Sequence, residues 1–382
     1  MEFLNHILNA SDLFLRGLNV FFAIVVIVFV HEIGHYLIGR WCGIKASVFS
    51  IGFGPKLLNY KDKRGTQWRL GLFLLGGYVK FVEDGDGIIP SSKSSSLIHG
   101  SFMGAHAWKR AVTVFAGPLF NGLFAIVVLT FFFFFYGRVV VEPVVGYVEK
   151  DSPAIQAGLI PGDRFVEMDG KRIESFEDLI AYVTLHGGDP IEFKIERMGQ
   201  VLKVVITPKV IKRDDGFGNQ IRSGMIGVRA PVERNNPERL DQAYKKHIYY
   251  NWVESIEESL KCATWIITRT ISFFSRLIGG QGDHCQLNGP SKTFKIAWKI
   301  SEAGFTSMLY FTAFFSVCIG FINLFPLPPL DGGHLLLYIT EAMIGKPVPA
   351  KIQEFFFRVG FFIIIMFMIF ALFNDYVCWF GY

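Results

Sequence analysis

Long runs of apolar residues alternate with polar segments over the 382 positions of the chain. Four runs, at about 18–39, 111–136, 303–325 and 355–373, contain few or no charged residues. Each run is long enough to cross ~30 Å of hydrocarbon as a helix that rises ~1.5 Å per residue. The pattern therefore predicts a polytopic α-helical membrane protein with about four transmembrane helices.

Composition and charge agree with a membrane protein. Hydrophobic residues make up 51% of the chain, and charged residues make up 19%, below the roughly one quarter that is usual in soluble domains. The net charge of +5 is modest and gives no indication of a nucleic-acid partner. Arg40 and Lys45 follow the first run, and Lys109 and Arg110 precede the second. By the positive-inside rule this loop is cytoplasmic, and the N-terminus is outside.

The first apolar run contains the sequence HEIGH, with His31, Glu32 and His35. Residues at i and i+4 lie on one face of a helix, so the two imidazoles can bind one metal ion beside Glu32. The ordinary alternative is a solvated His and Glu on a helix surface. A charged side chain in a span costs about 2.5–3.5 kcal/mol, and such residues are by default functional or paired. The motif therefore favours a catalytic zinc site, which requires a third protein ligand.

The third run ends in the sequence NLFPLPPLDGGH, which covers residues 323–334. Its three prolines end the helix abruptly, because proline lacks the N–H that a helix interior needs. The turn that follows presents Asp331 on the side of the membrane predicted for His31 and His35. Asp331 is therefore the best candidate for the third zinc ligand.

Residues 66–81 (TQWRLGLFLLGGYVKF) are apolar, aromatic and interrupted by glycine. This pattern predicts a β-hairpin inside the cytoplasmic loop. Two roles stay open for the hairpin. It is an ordinary covered hairpin, or its edge strand enters the membrane beside the metal and holds a substrate in extended form.

After residue 137 the chain becomes polar, and residues 144–208 alternate short strand patterns with one helix near 176–184. The succession of SPA, AGLIPGD and a DG turn resembles a bacterial PDZ domain, which binds peptide ends as an added strand. A domain with a blocked groove that serves as a lid or spacer is the alternative. Residues 212–237 are predicted to be a polar linker that includes a short strand-like piece (MIGVRA). Residues 241–278 are predicted to be an amphipathic helix, of which the portion 265–278 lies in the membrane interface.

Two further features have simple interpretations. Asn121, in the second span, is interpreted as an interhelical hydrogen bonder. Cys262 and Cys285 lie in the same exposed region, and they could form a disulfide in an oxidising compartment.

Together these motifs resemble the bacterial site-2 proteases, and within that family the branch of the regulator of sigma-E protease. The likeness covers nearly the whole chain through HEIGH, SIGFGP, GGYVK, GPLFN, the PDZ-like domain and NLFPLPPLDGG. It implies that zinc is bound by His31, His35 and Asp331, and that Glu32 is the catalytic base. It also implies substrate-binding or oxyanion-stabilising residues, namely Asn323, Gly76, Gly77 and Tyr78.

The resemblance implies an intramembrane zinc metalloprotease that acts in regulated intramembrane proteolysis. Glu32 would assist a zinc-activated water to cut the transmembrane segment of a single-span protein, such as an anti-sigma factor, or a remnant signal peptide. Expected partners are these substrates, the lipid bilayer and peptide C-termini at the PDZ domain, with no nucleic acid. The branch carries two tandem PDZ domains, whereas this chain shows one clear copy, so the gating of substrates by size stays open.

The expected fold combines about four transmembrane helices, a membrane-associated β-hairpin and one periplasmic α+β PDZ domain. The expected location is the bacterial inner membrane, with both termini and the PDZ domain periplasmic and the active site toward the cytoplasm. The segments are the N-terminus and first transmembrane helix with HExxH (1–40), the cytoplasmic loop with the reentrant hairpin (41–110), the second transmembrane helix (111–136), the PDZ domain (137–210), a periplasmic linker with amphipathic helices (211–302), the third transmembrane helix with the LDG motif (303–334), and a cytoplasmic loop with the fourth transmembrane helix and tail (335–382).

Other functions stay open from the residues alone. A membrane-anchored HExxH protease could act on cytoplasmic or misfolded proteins, but it would need neither an outer PDZ domain nor an aspartate on a distant span. A non-catalytic PDZ membrane adaptor with a structural metal site would have no use for Glu32. A metal transporter would need more polar residues along its spans than the second run offers.

Overall fold

The computed structural model describes residues 2–82, 100–214, 220–233, 236–279, 287 and 289–380. By length and composition, four of the described helices can cross a membrane, which confirms the predicted number: Leu15–Trp41, Ala107–Tyr136, Phe305–Asn323 and Ala350–Val377. Three of them extend beyond the predicted apolar runs, because helical hydrogen bonding continues into the polar residues that flank each run. The third is shorter by about two residues at each end, and it begins after Gly304, whose φ of 99° lies outside the helical region.

The helices are α1 (Glu2–Trp41), α2 (Ala107–Tyr136), α3 (Pro153–Gln156), α4 (Phe176–Leu185), α5 (Trp252–Ile278), α6 (Pro290–Glu302), α7 (Phe305–Asn323), α8 (Asp331–Ile344) and α9 (Ala350–Phe380). The strands are β1 (Ala46–Lys61), β2 (Gln67–Phe81), β3 (Arg138–Val141), β4 (Tyr147–Val148), β5 (Arg164–Met168), β6 (Lys171–Arg172), β7 (Ile191–Arg197), β8 (Gln200–Ile206), β9 (Lys209–Asp214), β10 (Gln220–Met225), β11 (Val228–Arg229), β12 (Val232–Glu233), β13 (Asn236–Leu240) and β14 (Lys245–Ile248).

These elements form two compact units. The first unit consists of Met1–Phe132, Ser255–Thr270 and Thr293–Phe370. The second consists of Phe133–Glu254, Ile271–Lys292 and Ala371–Tyr382. HExxH, the hairpin and Asp331 all belong to the first unit, whereas the predicted PDZ domain belongs to the second.

Small residues let the helices of the first unit approach closely. A Cβ atom added at Gly34 of α1 would lie 2.6 Å from the carbonyl oxygen of Ala116 in α2. A Cβ atom at Gly320 of α7 would lie 3.0 Å from the carbonyl oxygen of Pro118 in α2. Contacts of this kind are the usual packing device of helices in lipid, where burial of apolar surface supplies little drive for association. They bring α1 and α7 against α2, and α1 carries the HExxH motif.

The hairpin is larger than predicted, and the expectation that residues 66–81 form it alone is wrong. Its turn follows Asp62, whose Oδ1 accepts hydrogen bonds from the backbone N–H groups of Arg64 (2.8 Å) and Thr66 (2.9 Å). Residues 48–51 of β1 align with residues 67–70 and also with residues 77–80 of β2. Residues 48–51 of β1 therefore lie between the two halves of the predicted hairpin. The glycines of the predicted hairpin form a bend within the single strand β2.

The second unit contains a four-stranded antiparallel sheet in the order β6-β5-β7-β8. Ile191, Phe193 and Ile195 alternate with exposed or half-buried residues along β7, and all three are fully buried. Ser175 caps α4 in a reciprocal capping box with Asp178, which places the apolar face of the helix on the same core. This arrangement agrees with an α+β domain.

The segment predicted as a polar linker belongs to this folded unit, and that expectation is wrong. Strand β9 pairs with β10, and β11 pairs with β4 near the start of the domain. Strand β14 pairs with β3, and the amphipathic helix therefore begins at Trp252 rather than at residue 241. The predicted strand-like piece MIGVRA contains β11. The other strands have mostly polar side chains and are held by backbone hydrogen bonds, which leave no alternating pattern in the sequence.

Sγ of Cys262 lies 3.5 Å from the Tyr310 hydroxyl. Cys285, its suggested disulfide partner, lies outside the described residues.

Candidate metal centre

His31 and His35 project from one face of α1, as the spacing of the motif predicts. Their ring centroids are 4.8 Å apart, and their Nε2 atoms are 3.2 Å apart. Each residue is only 9% exposed. Two imidazole nitrogens therefore lie close together beside a helix that can cross a membrane.

Asp331 brings a carboxylate oxygen to the same point from α8, whose first residue it is. Its Oδ2 lies 3.0 Å from Nε2 of His31 and 3.5 Å from Nε2 of His35. This oxygen is buried, yet it accepts no hydrogen bond of good geometry. Two nitrogens and one oxygen, all within 4.8 Å of one another, form a donor set that suits zinc and leaves a fourth position open.

The hydrogen bond of His35 favours a ligand role for its Nε2. Its Nδ1 lies 2.9 Å from the backbone carbonyl oxygen of Thr113 on α2. A carbonyl oxygen can only accept, so Nδ1 carries the proton in the neutral ring and Nε2 presents its lone pair. A histidine that ligates a metal usually has its other ring nitrogen fixed in this way.

Helix α2 supports the two imidazoles through positions spaced by four residues: Thr113, Gly117 and Asn121. At Gly117, an added Cβ atom would overlap Nε2 of His35 and lie 2.9 Å from Cε1 of His31. Asn121 lies beside the other ring, with Nδ2 3.3 Å from Nδ1 of His31. The sequence alone did not connect these residues with the histidines. The only available signal was the four-residue spacing of Gly117 and Asn121 in GPLFN, which matches that of HExxH.

Glu32 lies beside the hairpin and is 9% exposed. A Cβ atom added at Gly77 would be 2.9 Å from Cγ of Glu32. Strand β2 and Glu32 are thus in direct contact. Gly77 leaves the space that Glu32 occupies.

The other candidates implied by resemblance lie at two different places. Gly76 and Tyr78 flank Gly77, and the Tyr78 ring stacks on Phe53 at 5.9 Å between centroids. Asn323 is the last residue of α7 and is half-buried. The structure thus brings Gly77 to Glu32 directly, and the roles of Gly76, Tyr78 and Asn323 stay predictions.

A buried ion pair joins α2 to α8, the helix that carries Asp331. Nη2 of Arg110 lies 2.6 Å from Oε1 of Glu341, and Arg110 is 5% exposed. The same guanidinium lies over the Tyr338 ring at 4.8 Å and donates through Nε to the carbonyl oxygen of Ala105. Three partners of Arg110 therefore fix the start of α2 and one face of α8, a connection that the sequence did not reveal.

The second unit contains a cavity of about 620 Å³ between α4 and the segment of residues 224–230. Phe176, Leu179 and Val183 supply apolar walls, and Glu149 and Arg229 lie at its edge as an ion pair of 2.6 Å. A groove beside a short strand can accept an extended peptide by strand addition.

Two histidines and an aspartate around one point, with an adjacent glutamate on the HExxH helix, define the site of a metallopeptidase. Comparison with known proteins identifies the family. Residues 19–367 match the model of peptidase family M50. The chain belongs to this family, that of the site-2 proteases, and is a zinc metalloprotease.

Alignments with similar proteins cover most of the chain. A Bartonella henselae protein that bears the name of a zinc metalloprotease is 64% identical over 358 residues, which cover 94% of this chain and 100% of the relative. The metalloprotease MmpA of Caulobacter vibrioides is 32% identical over 384 residues and 93% of each chain. A solved PDZ domain of an SdrC-like protein from Listeria monocytogenes covers 23% of this chain and 84% of its own, with 24% identity and a TM-score of 0.19. At that TM-score the likeness adds nothing further about the chain.

Proposed function

We propose that this protein hydrolyses peptide bonds within the transmembrane segments of single-span membrane proteins. The observation that carries the proposal is the convergence of His31, His35 and Asp331 next to Glu32, with the HExxH residues inside a helix that can cross a membrane. The substrate class is an anti-sigma factor already trimmed outside the membrane, or a remnant signal peptide. This substrate class rests on the family resemblance.

In this mechanism His31, His35 and Asp331 hold one zinc ion. When bound, zinc supplies a Lewis acid that makes water a nucleophile near neutral pH. Glu32 accepts the proton of the water as its oxygen bonds to the scissile carbonyl carbon. Glu32 then gives this proton to the amide nitrogen as the C–N bond breaks. Asn323 is proposed to donate a hydrogen bond to the oxyanion that develops on the carbonyl.

A helical substrate must be unwound first, because its peptide bonds are engaged in i to i−4 hydrogen bonds. The hairpin offers replacement hydrogen bonds. Residues 77–80 of β2 pair with residues 48–51 of β1. The Gly77 position contacts Glu32, so a substrate strand added through Gly76, Gly77 and Tyr78 would lie close to the base.

We propose an inner-membrane location with the metal centre toward the cytoplasm and the second unit and both termini in the periplasm. The basic residues at the ends of the loop of residues 41–110 support this orientation. The exposed apolar residues of the spanning helices, such as Phe22, Phe135 and Phe362, are expected to face the lipid bilayer. The cavity in the second unit is proposed to bind peptide C-termini.

The test is cleavage of a model single-span substrate by purified full-length protein in detergent. We expect wild type to cut inside the apolar segment, and Glu32→Gln to lose at least 10²-fold in rate while it retains zinc, since Glu32 is not a ligand. The matched control is Glu257→Gln on α5, where the Glu257 side chain is 65% exposed, and it should cut like wild type.

Other outcomes identify the alternatives. Cuts confined to the soluble flanks of the substrate would support a membrane-anchored protease of cytoplasmic or misfolded proteins. If several substrates gave no Glu32-dependent product while zinc stayed bound, a non-catalytic PDZ adaptor would be the better account.

A further inference from the structure

Asn121 combines complete burial with an unused hydrogen-bond acceptor. Its exposure is 0%, in the middle of α2. Its Nδ2 lies 3.3 Å from Nδ1 of His31, while its Oδ1 is buried without a hydrogen-bond partner. A buried amide oxygen without a partner costs about 1–3 kcal/mol, so this orientation of the amide is unfavourable.

The ligand role of His31 requires the opposite orientation of that amide. Nε2 of His31 faces Oδ2 of Asp331 at 3.0 Å, and a metal at this point needs the Nε2 lone pair. In the neutral ring the proton is then on Nδ1, which must donate. An Asn121 N–H group opposite a His31 N–H group gives two donors and no acceptor.

A half-turn of the amide about its last torsion gives a partner both to Oδ1 and to the proton on Nδ1 of His31. It places Oδ1 of Asn121 where Nδ2 lies, because the two atoms of an amide are nearly equal in size. The buried oxygen then accepts from Nδ1 of His31. His31 is thereby fixed by α2 as His35 is fixed by the Thr113 carbonyl oxygen, at 2.9 Å.

We propose that Asn121 is a positioning residue of the metal centre: its Oδ1 accepts the Nδ1 proton of His31 and holds the Nε2 lone pair toward the metal. The inference rests on the proposed zinc site. Asn121 acts through His31, and it contacts neither the metal nor the substrate itself. A purely structural role, in which Asn121 only joins helices, predicts no effect on the metal.

Neighbouring contacts hold Asn121 in place and supply a control. The Ser316 hydroxyl of α7 donates to the Asn121 backbone carbonyl oxygen at 2.9 Å, and Ser316 is fully buried. A Cβ atom added at Gly320 would lie 3.2 Å from Cβ of Asn121. Ser316→Ala therefore removes an interhelical hydrogen bond at Asn121 but leaves the acceptor for His31 intact.

The experiment measures zinc affinity by chelator competition, and the visible absorption of the cobalt-substituted full-length protein in detergent. Asn121→Leu keeps the approximate size and removes the acceptor, so it should lower zinc affinity about 10–100-fold and change the cobalt spectrum. Asn121→Asp keeps an acceptor oxygen and should stay within several-fold of wild type. Ser316→Ala should leave the cobalt spectrum unchanged.

The proposal is overturned if Asn121→Leu keeps wild-type affinity and spectrum, or if Ser316→Ala changes them equally. Should Asn121→Leu fail to fold, Asn121→Ala, which adds no bulk, carries the same expectation. If wild-type protein binds no zinc, the result contradicts both the proposed zinc site and this inference. Wild-type protein that binds zinc without cleaving substrates would contradict only the proposed function.

Discussion

Gly117 has no room for a side chain, because two imidazoles pack against the backbone of α2 at this position. We predict that Gly117→Ala lowers zinc affinity more than tenfold, since the added methyl group displaces His35 and contacts His31, 2.9 Å from its Cε1. Zinc content after dialysis against a weak chelator measures the effect.

The control for this substitution lies five residues further along the same helix. A Cβ atom added at Gly122 meets nothing within 4 Å. Gly122→Ala should therefore keep its zinc, and it should gain stability, because alanine is favoured over glycine inside a helix by ~1 kcal/mol. Equal zinc loss in both variants would contradict the role assigned to Gly117.

A second prediction at this scale concerns Asp163, whose carboxylate is 1% exposed in the second unit. Burial alone would raise its pKa. The hydrogen bonds from Arg197, at 2.7 and 2.8 Å, and from the Ile160 N–H group nevertheless hold the pKa of Asp163 below its ordinary value. A lowered pKa in the folded state stabilises the fold above pH ~4. This contribution is lost as the pH falls through the lowered pKa.

We therefore expect Asp163→Asn to destabilise the second unit by about 1–3 kcal/mol at pH 7, and the difference from wild type to shrink below pH ~4. Hydrogen exchange of β7 and β8, compared between the two proteins at each pH, measures it. Asp151→Asn, at an exposed position, is the control. A difference that stayed constant down to pH ~3 would argue against the ion pair as its source.

At the scale of elements, the buried pair of Arg110 and Glu341 couples α2 to α8. Both histidine supports lie on α2, and Asp331 begins α8, so the pair links the two halves of the metal centre. A buried pair of this kind contributes little net stability, but removing one partner leaves an unpaired buried charge. Its value here is the placement of α8 relative to α2.

We predict that Glu341→Gln destabilises the protein by about 3–5 kcal/mol and lowers zinc occupancy. The double variant Arg110→Met with Glu341→Leu should be more stable than either single variant, because no charge is left unpaired. Unfolding in mixed detergent micelles gives the stabilities, and a double-mutant cycle gives the coupling between the two residues. Strictly additive effects would show that the pair does not act as a unit.

At the scale of the whole molecule, the metal centre and the PDZ-like sheet belong to different units. A ligand that binds only the folded state stabilises it by mass action, so bound zinc should stabilise the unit that provides its ligands. We predict that a chelator lowers the hydrogen-exchange protection of α1 and α8 and leaves β7 and β8 unchanged. Readdition of zinc should restore the protection. Equal loss of protection in both units would contradict this assignment.

The sequence by itself determined the features that depend on local periodicity. Apolar runs of sufficient length predicted the four helices that can cross a membrane, because a helix rises by a fixed length per residue. The spacing of His31 and His35 placed both on one helix face for the same reason. Prolines marked the end of the third span, and the turn after them contains Asp331, the predicted third ligand.

Only the tertiary structure decided what those local elements contact. It inserted residues 48–51 between the two halves of β2, and it placed Gly117 and Asn121 against the imidazoles. It also brought Asp331 to the histidines and paired Arg110 with Glu341. A helix or strand pattern fixes which residues share a face, whereas the partner of that face depends on packing between segments far apart in the chain. The sequence could therefore only suggest Asp331 as the third ligand. Its contact with the two histidines, and the residues that hold them, became visible only in the fold.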